Sequence, residues 1–384
     1  MLHVFEREIV YLRTHPRDAI ALLVLPLVTI VFALWMFSAG TLRHAPIALL
    51  DEDRSALSRR LLTSLDADPA LRVRFIVRDQ REALSLLRQG RAYAFVVVPH
   101  GAERRLLRGE RSVVEAYVNS LYLLPASLIE QRLRTVTGVQ SATLAVTALG
   151  KRGQPQAEGL ADTLPIALDF ETRNNPRLSY QVYLADAVIP GVMTILILVF
   201  SVNALGHELR YGTLDDWLAA AGGSRLQALL GKLLPYTIVL AGYNAVATVW
   251  LALLQGWHHG VPAALLGGLL FVTAYQGIAV TIVGLSRNLL QSLTISSAYA
   301  SPAFAFSGIT YPQVGMNGFA RIVSYAMPCS YYLELRVQQL QYGLPAIASL
   351  HDFAVLLGFS IAGLAIGRLA FAGYPARKPG EAPP

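Results

Sequence analysis

Ala19-Ile-Ala-Leu-Leu-Val-Leu-Pro-Leu-Val-Thr-Ile-Val-Phe-Ala-Leu-Trp-Met-Phe37 contains no charged side chain, and none occurs between Asp18 and Arg43. Nineteen such residues match the roughly 20 that an α-helix needs to cross a bilayer. Further charge-free runs follow: Ala187–Gly206, Leu233–Ser286 and Asn288–Ala320. The second is too long for one crossing, and its polar break Gln255-Gly-Trp-His-His-Gly-Val-Pro262 divides it in two. Ser292–Tyr311 is expected to hold a fifth span and Phe353–Phe371 a sixth, with Arg368 snorkelling toward water. The expected fold is an α-helical polytopic membrane protein with six transmembrane helices. A cleaved signal peptide ending at Ser38-Ala-Gly40 is disfavoured, because the polar lead of eighteen residues is long and itself helical in pattern.

Composition agrees: 54% of the 384 residues are hydrophobic and 15% charged, against about a quarter charged in soluble domains. Residues 40–183 hold 20 of the 32 Lys/Arg and 15 of the 25 Asp/Glu, so this segment reads as a soluble domain inserted between helices 1 and 2. The net charge of +7 carries no nucleic-acid motif with it, so nucleic acid is not an expected partner. With one cysteine, Cys329, no disulfide can form within the chain.

Six spans put both termini on one side. Ten basic residues fall there, among them Arg7, Arg13, Arg17, Arg210, Arg225, Lys232 and Arg287. In the short loops opposite, only Arg321 and Arg336 do. The positive-inside rule then places the termini in the cytoplasm, and the insert, too long to count, in a periplasm or its equivalent. The expected divisions are 1–18, an interfacial connecting helix; 19–39, the first span; 40–183, the periplasmic domain; 184–374, spans two to six; and 375–384, a cytoplasmic tail.

Within the insert, Pro46–Leu50, Arg72–Val77, Tyr93–Val98 and Val113–Val118 read as strands. Val73, Phe75 and Val77 are expected on one face. Helices are expected after Ser55, over Arg81–Gln89, before Gly109 and over Leu121–Leu149, with a further strand at Ile166–Phe170. This alternation predicts a compact α/β extracytoplasmic domain with a connector at 151–163. Asp51-Glu-Asp53 reads as a solvated turn rather than a cation site, and His100 as a surface side chain.

No phosphate loop, H-E-x-x-H, C-x-x-C or G-x-S-x-G is present, and His258-His259 lacks further metal ligands. No Asp, Glu, Lys or Arg sits mid-span, so an ion-coupled pump is disfavoured and energy is expected from another subunit.

Three segments stand out. Leu2–Thr14, with Val4, Phe5, Ile9 and Leu12 among Glu6, Arg7, Glu8 and Arg13, reads as an amphipathic helix on the inner membrane surface; a plain topogenic flank is the alternative. In the loop 206–227, Thr213 can cap a helix with Asp215 and Asp216 in its first turn. Leu214, Trp217 and Leu218 would leave it an exposed apolar face for a cytoplasmic partner, or would anchor the loop in the interface. Segment 312–350 is too apolar for a plain loop and is expected to form re-entrant or interfacial helices at the exit side. Gly363-x-x-x-Gly367 permits close helix packing, though isolated matches are common.

Five stretches together resemble the ABC type 2 transporter permeases, the export branch with a large periplasmic insert after the first transmembrane helix. They are Arg7-Glu8 with Arg13-Thr-His-Pro-Arg17; Ala48-Leu-Leu-Asp-Glu-Asp-Arg-Ser-Ala-Leu57; Leu87-Arg-Gln-Gly90 through Pro99; Glu208 with Tyr211-Gly212-Thr213-Leu214; and Phe306-Ser-Gly308 to Pro312, then Pro328 and Tyr331–Arg336. The departure is Asn174–Tyr180, behind a poorly determined connector. The resemblance implies a permease subunit of an ATP-binding-cassette exporter in a bacterial inner membrane. Such a subunit pairs with a second permease and contacts membrane lipid. It docks on an ABC ATPase subunit that binds ATP and Mg, and it often works with a periplasmic adaptor and an outer-membrane channel. Glu6, Arg7, Glu208, Tyr211, Gly212, Thr213 and Leu214 would couple to the ATPase. Asn203, Asn244, Phe304 and Phe306 would line the path of a hydrophobic or amphipathic, drug-like or lipid-like substrate. No catalytic or metal site is expected in this chain. A membrane-anchored receptor or phage-entry protein shares the layout but needs no docking helix at 208–214, and a membrane enzyme is disfavoured because the expected spans lack polar or acidic groups.

Overall fold

A computed structural model describes residues 1–38, 43–108, 112–120, 123–151, 184–256, 259–308 and 311–372. The chain divides into two units, Met1–Ser38 with Tyr180–Pro384, and Ala39–Ser179. The expected strand at 166–170, the connector at 151–163 apart from Lys151, the stretch at 174–180, His258 and the tail at 375–384 lie outside the described residues.

In chain order, α1 (Leu2–Thr14) turns at His15 into α2 (Pro16–Met36). The second unit runs β1 (Ala45–Asp51), α3 (Ala56–Ala67), β2 (Leu71–Val77), α4 (Gln80–Arg88), β3 (Ala94–Val98), α5 (Ala102–Leu107), β4 (Glu115–Val118) and α6 (Leu123–Lys151). Back in the first unit follow α7 (Asp186–Tyr211), α8 (Leu214–Ala220), α9 (Arg225–Gln255), α10 (Val261–Ser286), α11 (Leu289–Ala300), α12 (Gly318–Tyr325), α13 (Pro328–Arg336) and α14 (Leu350–Ala372). A π-helical turn, Val337–Gln341, continues α13.

In the second unit the sheet order is β2-β1-β3-β4. β1 pairs in parallel with β2 and β3, and β4 runs antiparallel to β3. Alternation of side chains splits β1 between two cores. Ile47 and Leu49 pack with Leu61 and Leu65 of α3 and Ile129 of α6, while Ala48 and Leu50 pack with Ala83 and Leu86 of α4. β2 departs from the expected single face. A register irregularity pairs Ile47 with Val73 but Ala48 with Phe75, so Arg74 is an extra residue. Val73 therefore joins the first core, and Phe75 and Val77 the second.

The acidic turn is occupied by the protein's own donors. Asp51 accepts from the amides of Asp53 and Arg54 and from the Ser58 hydroxyl at 2.7 Å. Asp53 accepts from the amides of Gly101 and Glu103. Slight burial works against the Asp53 carboxylate, but the Glu103 amide, the Ser55 hydroxyl and the amides of Gly101 and Ala102 outweigh it, and its pKa lies below the usual range.

In the first unit, α2, α7, α9, α10 and the run Ala346–Phe371 are long and apolar enough to cross a membrane. The stretch expected as a fifth continuous span is built otherwise. α11 has twelve residues, too few for a crossing, and turns follow from Ser301 to Gly308. Pro302 has no amide hydrogen to extend the helical ladder there. α10 and α14 lie against each other through glycine: a Cβ on Gly363 would stand 2.4 Å from the backbone carbon of Gly277, and one on Gly367 2.1 Å from Val280 Cγ1. Thr281 donates to the Gly363 carbonyl across this seam. The GxxxG spacing thus seats one helix of the chain on another.

Of the segment 312–350, α12 leaves Phe319, Ile322 and Tyr325 exposed, whereas α13 is mostly buried, with Tyr332 stacked on Phe271 at 4.5 Å.

Candidate functional site at the two ends of α7

Gly212 ends α7 in the left-handed conformation at φ +67°, which reverses the chain at little steric cost. The Thr213 amide bonds back to the Glu208 carbonyl, and α8 begins at once. The Thr213 hydroxyl makes no capping bond; it donates to the Glu208 carboxylate at 2.5 Å.

Glu208 is 3% exposed and collects three donors. Arg7 of α1 reaches one oxygen at 3.0 Å, beside the Thr213 hydroxyl, and Lys232 of α9 reaches the other at 2.7 Å. Lys232 is also bonded to Glu8 at 2.6 Å, and the second oxygen of Glu8 accepts from Tyr236 at 2.8 Å. Lys232 and Tyr236 are four residues apart, hence on one side of α9. Two acids and two cations thus tie α1, the end of α7 and α9 together. Gly231 makes the approach of α1 possible, since a Cβ there would lie 2.7 Å from the Met1 carbonyl oxygen. Beside this network Tyr11 stacks on His15 at 4.2 Å and meets His207 at 4.6 Å, and His207 meets Tyr211 at 4.3 Å. Burial and the Asp18 carboxylate, hydrogen-bonded to its hydroxyl, push the Tyr11 phenol above its usual range.

Of the residues expected from the sequence, Arg7, Glu208 and Thr213 meet in this network, and Gly212 shapes it. Tyr211 is 57% exposed at its edge. Glu6 points to solvent, with the His3 ring 3.6 Å from its carboxylate. The expected exposed apolar face of the loop helix is turned inward. Trp217 is 1% exposed and meets Phe371 edge-on, and Leu214 and Leu218 pack on the bundle core. Apolar area that large is better satisfied by the neighbouring helix than by water. What α8 offers outward is Asp215 and Asp216. Glu8 stands in the Arg7-Glu8 stretch of the resemblance without a role of its own, and Lys232 and Tyr236 are not among the expected site residues. Lys232 is one of three lysines beside twenty-nine arginines and opens a charge-free run of 54 residues, a signal that was available.

The spans also hold ionisable groups that the charge-free windows hid. α7 and α9 outrun those windows, and Asp186, Glu208 and Lys232 are buried within them. At the start of α7, Asp186 takes the Nε and Nη2 of Arg336, both residues being 2% exposed. Arg336 also donates to Thr248 at 2.6 Å and Tyr332 at 3.1 Å. Twenty-two residues of α7 separate Asp186 from Glu208, about 33 Å of helix. That is close to a hydrocarbon thickness of about 30 Å.

Of the expected substrate-path residues, Asn244 is buried and donates to Tyr332 at 2.7 Å, and Phe304 covers Gly191. Asn203 and Phe306 are half-buried in the bundle.

Membrane-length apolar helices with paired charges at both ends of α7 define a polytopic α-helical membrane protein. The chain belongs to the ABC-2 family transporter proteins, whose sequence profile matches residues 19–369. It is 23% identical over 319 residues to the inner membrane transport permease YhhJ of Escherichia coli (strain K12), covering 82% of each chain. To the probable multidrug ABC transporter permease YbhR of the same organism it is 21% identical over 327 residues, covering 83% of each.

Proposed function

We propose that the chain is the membrane-spanning permease subunit of an ATP-driven exporter in the bacterial inner membrane. The observation that carries this reading is Lys232, shared by Glu8 and Glu208. It joins α1 and the α7–α8 turn to a membrane-length helix, so a force on either is transmitted to the span. A separate ATPase, holding ATP and Mg, docks on Asp215, Asp216 and Tyr211 of this surface. Two permease subunits, identical or paralogous, enclose the path, and the substrate is hydrophobic or amphipathic, in keeping with the multidrug description of one relative. The termini face the cytoplasm and the 40–183 domain the periplasm, as the distribution of Arg and Lys supports. That domain receives a periplasmic adaptor, which leads to an outer-membrane channel.

Co-expression with the partner ATPase subunit tests the coupling. Glu208→Gln is expected to leave the complex assembled while stimulation of hydrolysis by the permease falls. Stimulation equal to wild type would remove the coupling role. Deleting residues 44–180 is expected to leave the spans inserted and abolish adaptor capture; unchanged capture would remove the role given to the insert.

A further inference from the structure

A cleft of about 400 Å³ opens between α1, α2 and α9, lined by Ile9, Leu12, Arg13, Ile20, Leu23 and Val239 among others. Its lining is apolar except for Arg13, and Arg17, exposed, follows across the His15 corner in the first turn of α2. The nearby acids face elsewhere. Asp18 is engaged by the Tyr11 hydroxyl, and Glu8 by Lys232 and Tyr236. Among the described residues neither arginine has an ion pair. The cleft lies where α2, the first of the membrane-length helices, begins. It runs onto the outward side of α2, where Ile20 is 58% and Leu23 50% exposed.

From this geometry we propose that the cleft binds one acyl chain of an anionic phospholipid whose phosphate sits between Arg13 and Arg17. An apolar trough with one arginine in its lining and a second just across the His15 corner matches a molecule with an apolar tail and an anionic head. A zwitterionic headgroup carries its own cation to the same place and gains less. Each arginine near a membrane surface contributes about fivefold in affinity for anionic lipid. The bound lipid would pin the hinge at His15, between the connecting helix and the first span. The inference rests on the membrane reading of α2 and not on the partner ATPase.

The full chain, purified in neutral detergent, is offered phosphatidylglycerol or phosphatidylcholine, and retained lipid is read by native mass spectrometry beside the thermal midpoint. Phosphatidylglycerol is expected to be retained and to raise the midpoint, more so at low salt. Arg13→Gln with Arg17→Gln should reduce retention about thirtyfold. Ala19→Phe, which fills the cleft and leaves both arginines, should abolish it, whereas Arg81→Gln, an exposed arginine of the second unit, should leave it unchanged. Equal retention of the two lipids, or retention indifferent to the arginine changes, would overturn the proposal. So would Ala19→Phe altering the oligomeric state with lipid retention intact, because the cleft would then be a contact between copies.

Discussion

The two ends of α7 bury charge in opposite ways. At Asp186 a single acid meets a single arginine, both 2% exposed and enclosed by Tyr332, Thr248 and Gln341. At Glu208 the charges form a chain from three helices, and Arg7 leaves 35% of its side chain in reach of water. The first end is sealed and holds α13 against the bundle. The second has an open edge, continuing into the exposed Tyr211 and the acidic turn of α8. A sealed pair fixes geometry. A pair with an accessible edge can pass a partner's movement into the bundle. Under the proposed function, the same chemistry serves structure at one end and coupling at the other.

The largest expected effect is at the sealed end. Arg336→Met strands Asp186 in the interior, and breaking a buried pair costs about 3–5 kcal/mol. Thermal unfolding in detergent should show a large fall in midpoint, with much of it recovered when Asp186→Asn is added. If the single and double variants are equally unstable, the pair is not the source of the loss. Lys232→Met leaves two carboxylates facing each other, but Arg7 and an open edge let water in. Its loss should be about 2–3 kcal/mol, smaller than at Arg336. A larger loss than that of Arg336→Met would reverse the contrast between the ends.

Away from both ends, Gly363→Leu drives a side chain into the Gly277 backbone and should cost about 1–3 kcal/mol without touching either charge cluster. Gly212→Ala is the smallest change, about 1–2 kcal/mol for a left-handed backbone. Its effect on ATPase stimulation should nevertheless exceed that of Gly363→Leu, measured on assembled complex. Equal effects on stimulation would mean that coupling follows stability alone.

Much of this was legible in the sequence, for physical reasons that also mark where reading stopped. Charge-free runs report hydrocarbon, and they located α2, α7, α9, α10 and α14. They say nothing of a break inside such a run, so the twelve-residue α11 and the turns after Pro302 went unseen. In the insert, alternation identified β2, but a single extra residue at Arg74 depends on the partner strand and left no trace in β2 itself. The charge network at Glu208 was half legible: Arg7, Glu208, Gly212 and Thr213 came from the family resemblance. Glu8 and Lys232 are 224 positions apart, and their meeting depends on how α1 lies on Gly231. Trp217 was misread because amphipathicity says that a face seeks apolar company without saying whether Phe371 or another protein supplies it.

The most direct test is the hydrolysis rate of the co-purified ATPase with wild-type permease and with Glu8→Gln, a residue expected to lie behind the docking surface. Stimulation several-fold below wild type at unchanged ATPase capture is the predicted result, because the acid acts through Lys232 and Tyr236 on α9. Wild-type stimulation in that variant, with the complex intact, would contradict the claim that the buried charges carry movement from the docking face into the spans.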